Sequence, residues 1–185
     1  RPRRRLRHGR QHSGATLRPV SAPAQRPATS LHFADVLVAR VRELGHPLCV
    51  GIDPHLDLLP PLFRRGPMRP GELETADAVE VFCNAVVDRV AGRVAVVKPQ
   101  IAFFEQLGWR GLRALASVVQ RARAAGLLVL LDAKRGDIGS TAEGYANAYL
   151  GPDAPIAADA ITASPYLGLD TLEPFAAAAR AHGRG

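Results

Sequence analysis

Four times between residues 48 and 163 a short apolar run gives way to a stretch with helical periodicity, and that alternation limits the possible folds more than any other feature of the chain. The runs are LCVGI (48–52), RVAVV (93–97), LLVLL (127–131) and DAITA (159–163). Continuously apolar runs of this length, closed by turn residues and without polar alternation, read as strands covered on both faces. The intervening stretches are 72–90, with Val79, Phe82, Val86 and Val90 on one face, and 109–125, with Leu112, Leu115, Val119 and Ala122. Shorter helices are predicted over 141–150 and 171–182. One more helix precedes the first strand, with Phe33, Leu37, Val41 and Leu44 at helical spacing and Gly45 as its C-cap. Such strand–helix repetition predicts an α/β fold with a parallel sheet and right-handed crossovers.

The ends of the strands carry charge. Asp53 closes the first run, Lys98 the second, and Asp132 and Lys134 the third. In parallel α/β architectures the C-terminal strand ends hold the chemistry, so these four side chains are expected on one rim. Asp132 and Lys134 are two residues apart and point to one side of an extended chain. Asp137 follows in a loop that Gly136 and Gly139 leave open to close backbone approach. Lys98, Asp132, Lys134 and Asp137 thus form an array of alternating sign, in which neighbours hold each carboxylate ionised and each lysine protonated. Fixed charges already in place before a ligand arrives suit a reaction in which charge moves. Any one of them could be an ordinary rim salt bridge; their concentration at successive strand ends points to chemistry.

Composition matters mainly because it is uneven. The formal charge of +7 is misleading: residues 1–30 hold eight arginines and no acid, a +8 segment that leaves −1 for the remaining chain. Residues 1–30, rich in Arg, Pro and Ser and without hydrophobic periodicity, are expected to be a disordered basic tail. The tail has no apolar core of a secretory signal; an organelle transit peptide, a nucleic-acid-binding arm and a start site placed too far upstream all fit it. Residues 31–185 form the regular part. No apolar run approaches the roughly eighteen residues of a membrane span. Cys49 and Cys83 sit in apolar stretches and are expected to be buried free thiols in a reducing compartment, and no Cys/His spacing suggests zinc.

The segment DAKRGDIGSTAEGYA (132–146) strongly resembles the signature of orotidine 5′-monophosphate decarboxylases, in their bacterial branch. LCVGIDPHLDLLP (48–60), VVKPQIAFFEQLGWRGL (96–112) and DAITASPYLGLDTLEPF (159–175) resemble the same branch, in order. The resemblance implies a (β/α)₈ TIM barrel, a homodimer with shared active sites, no metal and no organic cofactor, working in the cytoplasm on orotidine 5′-monophosphate to make UMP. By position, it makes Asp53 a ribose ligand and Lys98 the first lysine of the array, touching ribose and Asp132. Asp132 becomes the carboxylate set against the substrate's own. Lys134 becomes the acid that protonates C6 of the pyrimidine. Asp137, with Ile138 and Thr141 beside it, becomes the group lent across the dimer interface.

The pattern departs from that family in extent. Only four βα units are present where a closed barrel has eight, and the regular part runs to 155 residues where such barrels typically have about 250. The groups that grip pyrimidine and phosphate, normally a late Gln and Arg, have no counterpart in these units. The chain is therefore expected to be an inactive fragment of the family fold. Two other readings stand beside it: a related phosphosugar-binding barrel lyase using Mg²⁺ held by the carboxylates, and a non-enzymatic nucleic-acid-binding protein acting through the Arg-rich tail. The near-neutral body offers the second no known reading module. Trp109 and Phe103–Phe104 are expected to pack a helix onto the sheet, His46 and His55 to be surface histidines, and Tyr145 and Tyr149 to serve either a dimer contact or the core.

Overall fold

The computed structural model describes residues 31–185; the basic tail, 1–30, lies outside the described residues. Four strands, β1 (Cys49–Ile52), β2 (Val96–Pro99), β3 (Leu128–Arg135) and β4 (Ala160–Ala163), lie side by side in chain order, every neighbouring pair parallel. Helix α1 (Phe33–Leu44) precedes β1, and α2 (Leu73–Val90) returns the chain to β2. A single turn, α3 (Ala102–Glu105), and α4 (Gly108–Ala124) lead to β3. Helix α5 (Gly139–Tyr149) leads to β4, and a 3-10 turn (Leu169–Leu172) opens into α6 (Glu173–His182). The predicted α/β class and parallel sheet are present, and the five predicted helices appear with boundaries shifted by a few residues; the single turn α3 was not predicted.

The core lies between the sheet and the helices on its outer side. Val97, Val129 and Leu131 are fully buried there with Val79, Cys83 and Val87 of α2 and Leu115, Val118 and Val119 of α4. Removing these side chains from water is the main force holding the layers together. The buried faces of α2 and α4 are carried largely by alanine and valine, which lets the helices sit close to the sheet.

Helix α1 has a different task. The His32 imidazole caps it by accepting the Ala34 N–H at 3.2 Å, and Gly45 ends it in the left-handed conformation. Its Phe33 N–H reaches the Gly183 carbonyl at 3.0 Å, and the Arg40 guanidinium donates to the Gly126 carbonyl just ahead of β3. Helix α1 therefore lies at the N-terminal ends of the strands, opposite the charged rim.

Three expectations need correction. Strand β1 is not covered on both faces: Cys49 and Gly51 are exposed while Ile52 is buried, because no described residue covers the inner face of this edge strand. Cys49 is consequently exposed, whereas Cys83 is buried and burial pushes its thiol up to about 12. Trp109 does not pack onto the sheet; it is 65% exposed, with the Arg110 guanidinium 4.8 Å from its ring centre. Phe104, fully buried, takes that place, and half-buried Phe103 meets the exposed His55 ring edge-on at 4.3 Å. Of the tyrosines, Tyr149 is buried and Tyr145 half-buried beneath the Arg135 guanidinium, which supports core packing.

The meeting of α3 and α4 depends on one missing side chain. A Cβ on Gly111 would stand 1.9 Å from the Phe104 carbonyl oxygen and 2.7 Å from Leu107 Cβ. Both obstacles belong to a tight turn that has no room to retreat. Gly111→Ala is expected to destabilise the fold by about 3 kcal/mol, as overpacking against backbone does. Urea unfolding followed by circular dichroism reads this directly, and an unchanged midpoint would show that α4 can slide without loss.

Candidate active site

Parallel register brings the charged residues together. Gly51 pairs with Lys98, and Gln100 bridges to Asp132, so the inner faces of β1, β2 and β3 line up row by row. On that face the Asp132 carboxylate forms the hub. Its Oδ2 accepts from Lys98 Nζ at 3.0 Å and from Gln100 Nε2 at 2.8 Å. Its Oδ1 accepts from Lys134 Nζ at 2.6 Å and from Thr162 Oγ1 at 2.8 Å. Four donors thus converge on one side chain that is only 10% exposed.

Burial by itself would raise the Asp132 carboxyl. Hydrogen bonds from Lys134, Lys98 and Thr162, with the positive charge of Lys98, outweigh it and hold the group down at about 2. Asp132 is thus an anion throughout the physiological range. The lysines flanking it differ in access. The Lys98 side chain is 31% exposed and that of Lys134 is 65% exposed, so the second ammonium stands at the open mouth of the site.

Alternation along a strand does not by itself bring Lys134 onto Asp132. Leu131 pairs with Ile161 and Arg135 with Ala163, so β3 advances four residues where β4 advances two. The extra length forms a bulge, and inside it Lys134 takes a left-handed backbone conformation, φ +47°. A side chain with a Cβ adopts that conformation at a cost of order 1–2 kcal/mol, so surrounding bonds must hold it. Thr162 Oγ1 accepts the Ala133 N–H at 3.0 Å and the Lys134 N–H at 2.9 Å. Just beyond, the Ser164 N–H donates to the Arg135 carbonyl at 2.7 Å, and a Cβ on Gly136 would stand 2.5 Å from the Ser164 oxygen. Gly136 is required there for close approach to β4, which gives it a role more specific than an open loop.

The remaining predicted residues are placed as follows. Asp53 stands immediately after β1 on the same rim, exposed, its carboxylate folded back over Gly51. Asp137 uses its carboxylate to accept the Ile138 N–H at 2.8 Å, and among the described residues no ion pair joins it to Lys98 or Lys134. Ile138, 62% exposed, and Thr141, also exposed, stand beside it at the start of α5. Among the described residues the array is therefore Lys98–Asp132–Lys134, with Asp137 outside it. Two members of the hub, Gln100 and Thr162, were not among the predicted site residues. Gln100 was within reach of sequence reasoning, since it lies two residues past Lys98 and so on the same face of the strand. Thr162 was not, because its partner is set by the bulge. Among the described residues no cluster of three or more His, Cys, Asp or Glu could hold a metal ion, and no helix is long and apolar enough to cross a membrane.

An ionised carboxylate locked between two ammonium groups, one of them open to a ligand, can present positive charge and a proton to an atom gaining electrons while setting negative charge against a neighbouring anion. Known proteins share this framework. The sequence model of the orotidine 5′-phosphate decarboxylase / HUMPS family matches residues 46–185. The orotidine 5′-phosphate decarboxylase of a Nocardioides species is 50% identical over 153 residues, covering 83% of this chain and 53% of the relative. That of Streptomyces coelicolor is 51% identical over 139 residues, covering 75% and 47%. The crystal structure of a Streptomyces avermitilis protein assigned as an orotidine 5′-phosphate decarboxylase superposes with a TM-score of 0.76 at 44% identity, over 88% of this chain and 54% of that one. The Leishmania donovani OMP decarboxylase gives 0.61 at 36% identity, over 80% and 50%. The chain spans about half the length of the curated relatives it matches.

Proposed function

We propose, from the premise that this chain belongs to the orotidine 5′-phosphate decarboxylase family, that its four βα units are the charged half of a TIM-barrel lyase converting orotidine 5′-monophosphate to UMP and CO₂. The observation that carries this reading is the ionised Asp132 fixed between Lys98 and Lys134 at bonding distance. Breaking the bond between C6 and the carboxylate leaves its electron pair on C6 as CO₂ departs. The Lys134 ammonium stabilises that developing charge and then gives C6 its proton. Asp132, held anionic, stands against the substrate carboxylate and disfavours the bound ground state relative to the transition state. Lys98 and Asp53 take the ribose hydroxyls from the rim. Binding energy from remote parts of the substrate, the phosphate above all, must offset the repulsion.

In this reading Asp137, Ile138 and Thr141 serve a second subunit's site in a cytoplasmic homodimer. The exposure of Ile138 and Thr141 at the start of α5, together with an Asp137 carboxylate that makes no ion pair among the described residues, supports that role.

The test is reconstitution. The sheet ends at β1 on one side, so the 185-residue chain alone is expected to give no measurable turnover of orotidine 5′-monophosphate. Co-expressed with the C-terminal four βα units of the Nocardioides relative, it is expected to decarboxylate that substrate, unaffected by EDTA. The relative's own two halves, co-expressed in the same way, are the control. An active control beside an inactive hybrid would refute the assignment.

A further inference from the structure

We propose that Thr162 is a positioning residue: its hydroxyl fixes both the Asp132 carboxylate and the backbone that aims Lys134. The proposal rests on the reading of Asp132 and Lys134 as the reacting pair, and it concerns how a residue on a different strand holds them.

The hydroxyl of threonine has one proton to give and two lone pairs to share. All three are used. Oγ1 accepts from the Ala133 and Lys134 N–H groups, at 3.0 and 2.9 Å, and donates to Asp132 Oδ1 at 2.8 Å. With both lone pairs occupied by main-chain donors, the proton has the carboxylate as its only acceptor in the hub. The branched Cβ restricts the rotamers of Thr162, so the direction of the hydroxyl is set by β4 itself.

The same three bonds cross the bulge at its least favourable point. Lys134 carries a Cβ in the left-handed region, and its own N–H is one of the two that Thr162 holds. Its side chain is long and 65% exposed, so packing does little to place the ammonium. What places it is the backbone from which it starts and the carboxylate on which it lands. Thr162 bonds to both. Without the hydroxyl, two N–H groups lose their acceptor, the left-handed residue loses its tether and Asp132 loses one of its two Oδ1 donors. Lys98 and Gln100, which act on Oδ2, cannot substitute for it.

Carbon-detected NMR of the 185-residue chain tests this, with Thr162→Val removing the hydroxyl at nearly constant shape and Thr162→Ser retaining it. The Asp132 carboxyl titration is the readout. Thr162→Val is expected to raise the proton affinity of Asp132 about tenfold, one unit in midpoint, and to shift the Lys134 backbone resonances out of their left-handed pattern. Thr162→Ser is expected to restore both. A wild-type midpoint in Thr162→Val, or an equal shift in Thr162→Ser, would overturn the proposal. If Thr162→Val does not fold, amide exchange in the unaltered chain decides: the Ala133 and Lys134 N–H groups must exchange at least about a hundredfold slower than free amides, and free exchange would defeat the role. No turnover enters these measurements, so their failure dismisses Thr162 alone, whereas failed reconstitution dismisses the decarboxylase reading and leaves the titration standing.

Discussion

Lys134→Ala is expected to lower kcat of the reconstituted decarboxylase about ten-thousand-fold, with a much smaller change in KM. Two contributions vanish together. A positioned general acid is worth about 10²- to 10⁴-fold, and a fixed charge beside the atom that gains electrons about 10²- to 10³-fold. They are not additive, because one ammonium supplies both. KM changes less because the charge on C6 exists only near the transition state, while the ribose and phosphate contacts lie elsewhere. Lys134→Arg is not expected to restore the rate. A guanidinium keeps the charge but surrenders its proton far less readily, and its planar fork does not fit a position defined by a 2.6 Å contact to Asp132 Oδ1. Steady-state assays of the two variants decide the point. A loss below about tenfold in Lys134→Ala would move the proton donor elsewhere in the site.

The two lysine variants also show which parts of the site could be seen in the residues alone. The fold was legible because its signal is repeated: four apolar runs separated by helical periodicity lead to a parallel sheet in chain order, and the structure has that sheet. The meeting of Lys98, Asp132 and Lys134 was legible because strand ends in such sheets share a rim. The geometry that makes them meet was not, since Lys134 reaches Asp132 through a bulge and a left-handed residue. A lysine gives no sequence sign of that conformation, as a glycine would. Thr162 stayed hidden for the same reason: its bonds depend on a register shift with no local pattern. Trp109 misled because helical spacing marks a face but not how far along it burial extends; the close fit of Gly111 to the Phe104 carbonyl gives the interior to Phe104 and leaves Trp109 outside. Cys49 misled because an apolar run is read as buried whether its strand is central or at an edge.

Asp132→Asn separates the stabilising role of the hub from its chemical one, and both effects are expected to be large. The carboxyl is held near 2, against an ordinary value of 3.8, because hydrogen bonds from Lys134, Lys98 and Thr162 and the charge of Lys98 outweigh its burial. A group whose folded value is depressed stabilises the fold above its unfolded value and loses that contribution as pH falls through the folded one. The window is therefore about pH 4 down to about 2, and the contribution at neutral pH is about 2 kcal/mol. An amide in this position still offers one acceptor oxygen, but its NH₂ faces donors where the second carboxylate oxygen faced them. The two ammonium groups also lose the negative charge between them. At pH 7 Asp132→Asn is thus expected to be less stable than the unaltered chain, and the gap is expected to close as pH drops from 4 towards 2, because only the carboxylate is protonated on the way. In the reconstituted enzyme the same change removes the anion set against the substrate carboxylate and frees Lys134 from its anchor. A fall in kcat of about a thousandfold is expected. Urea unfolding of both chains across that pH range, with a parallel rate assay, tests the pair of claims. Stability curves that remain parallel down to pH 2 would mean that Asp132 is not held anionic by the hub, and the electrostatic account of the site would fail with it.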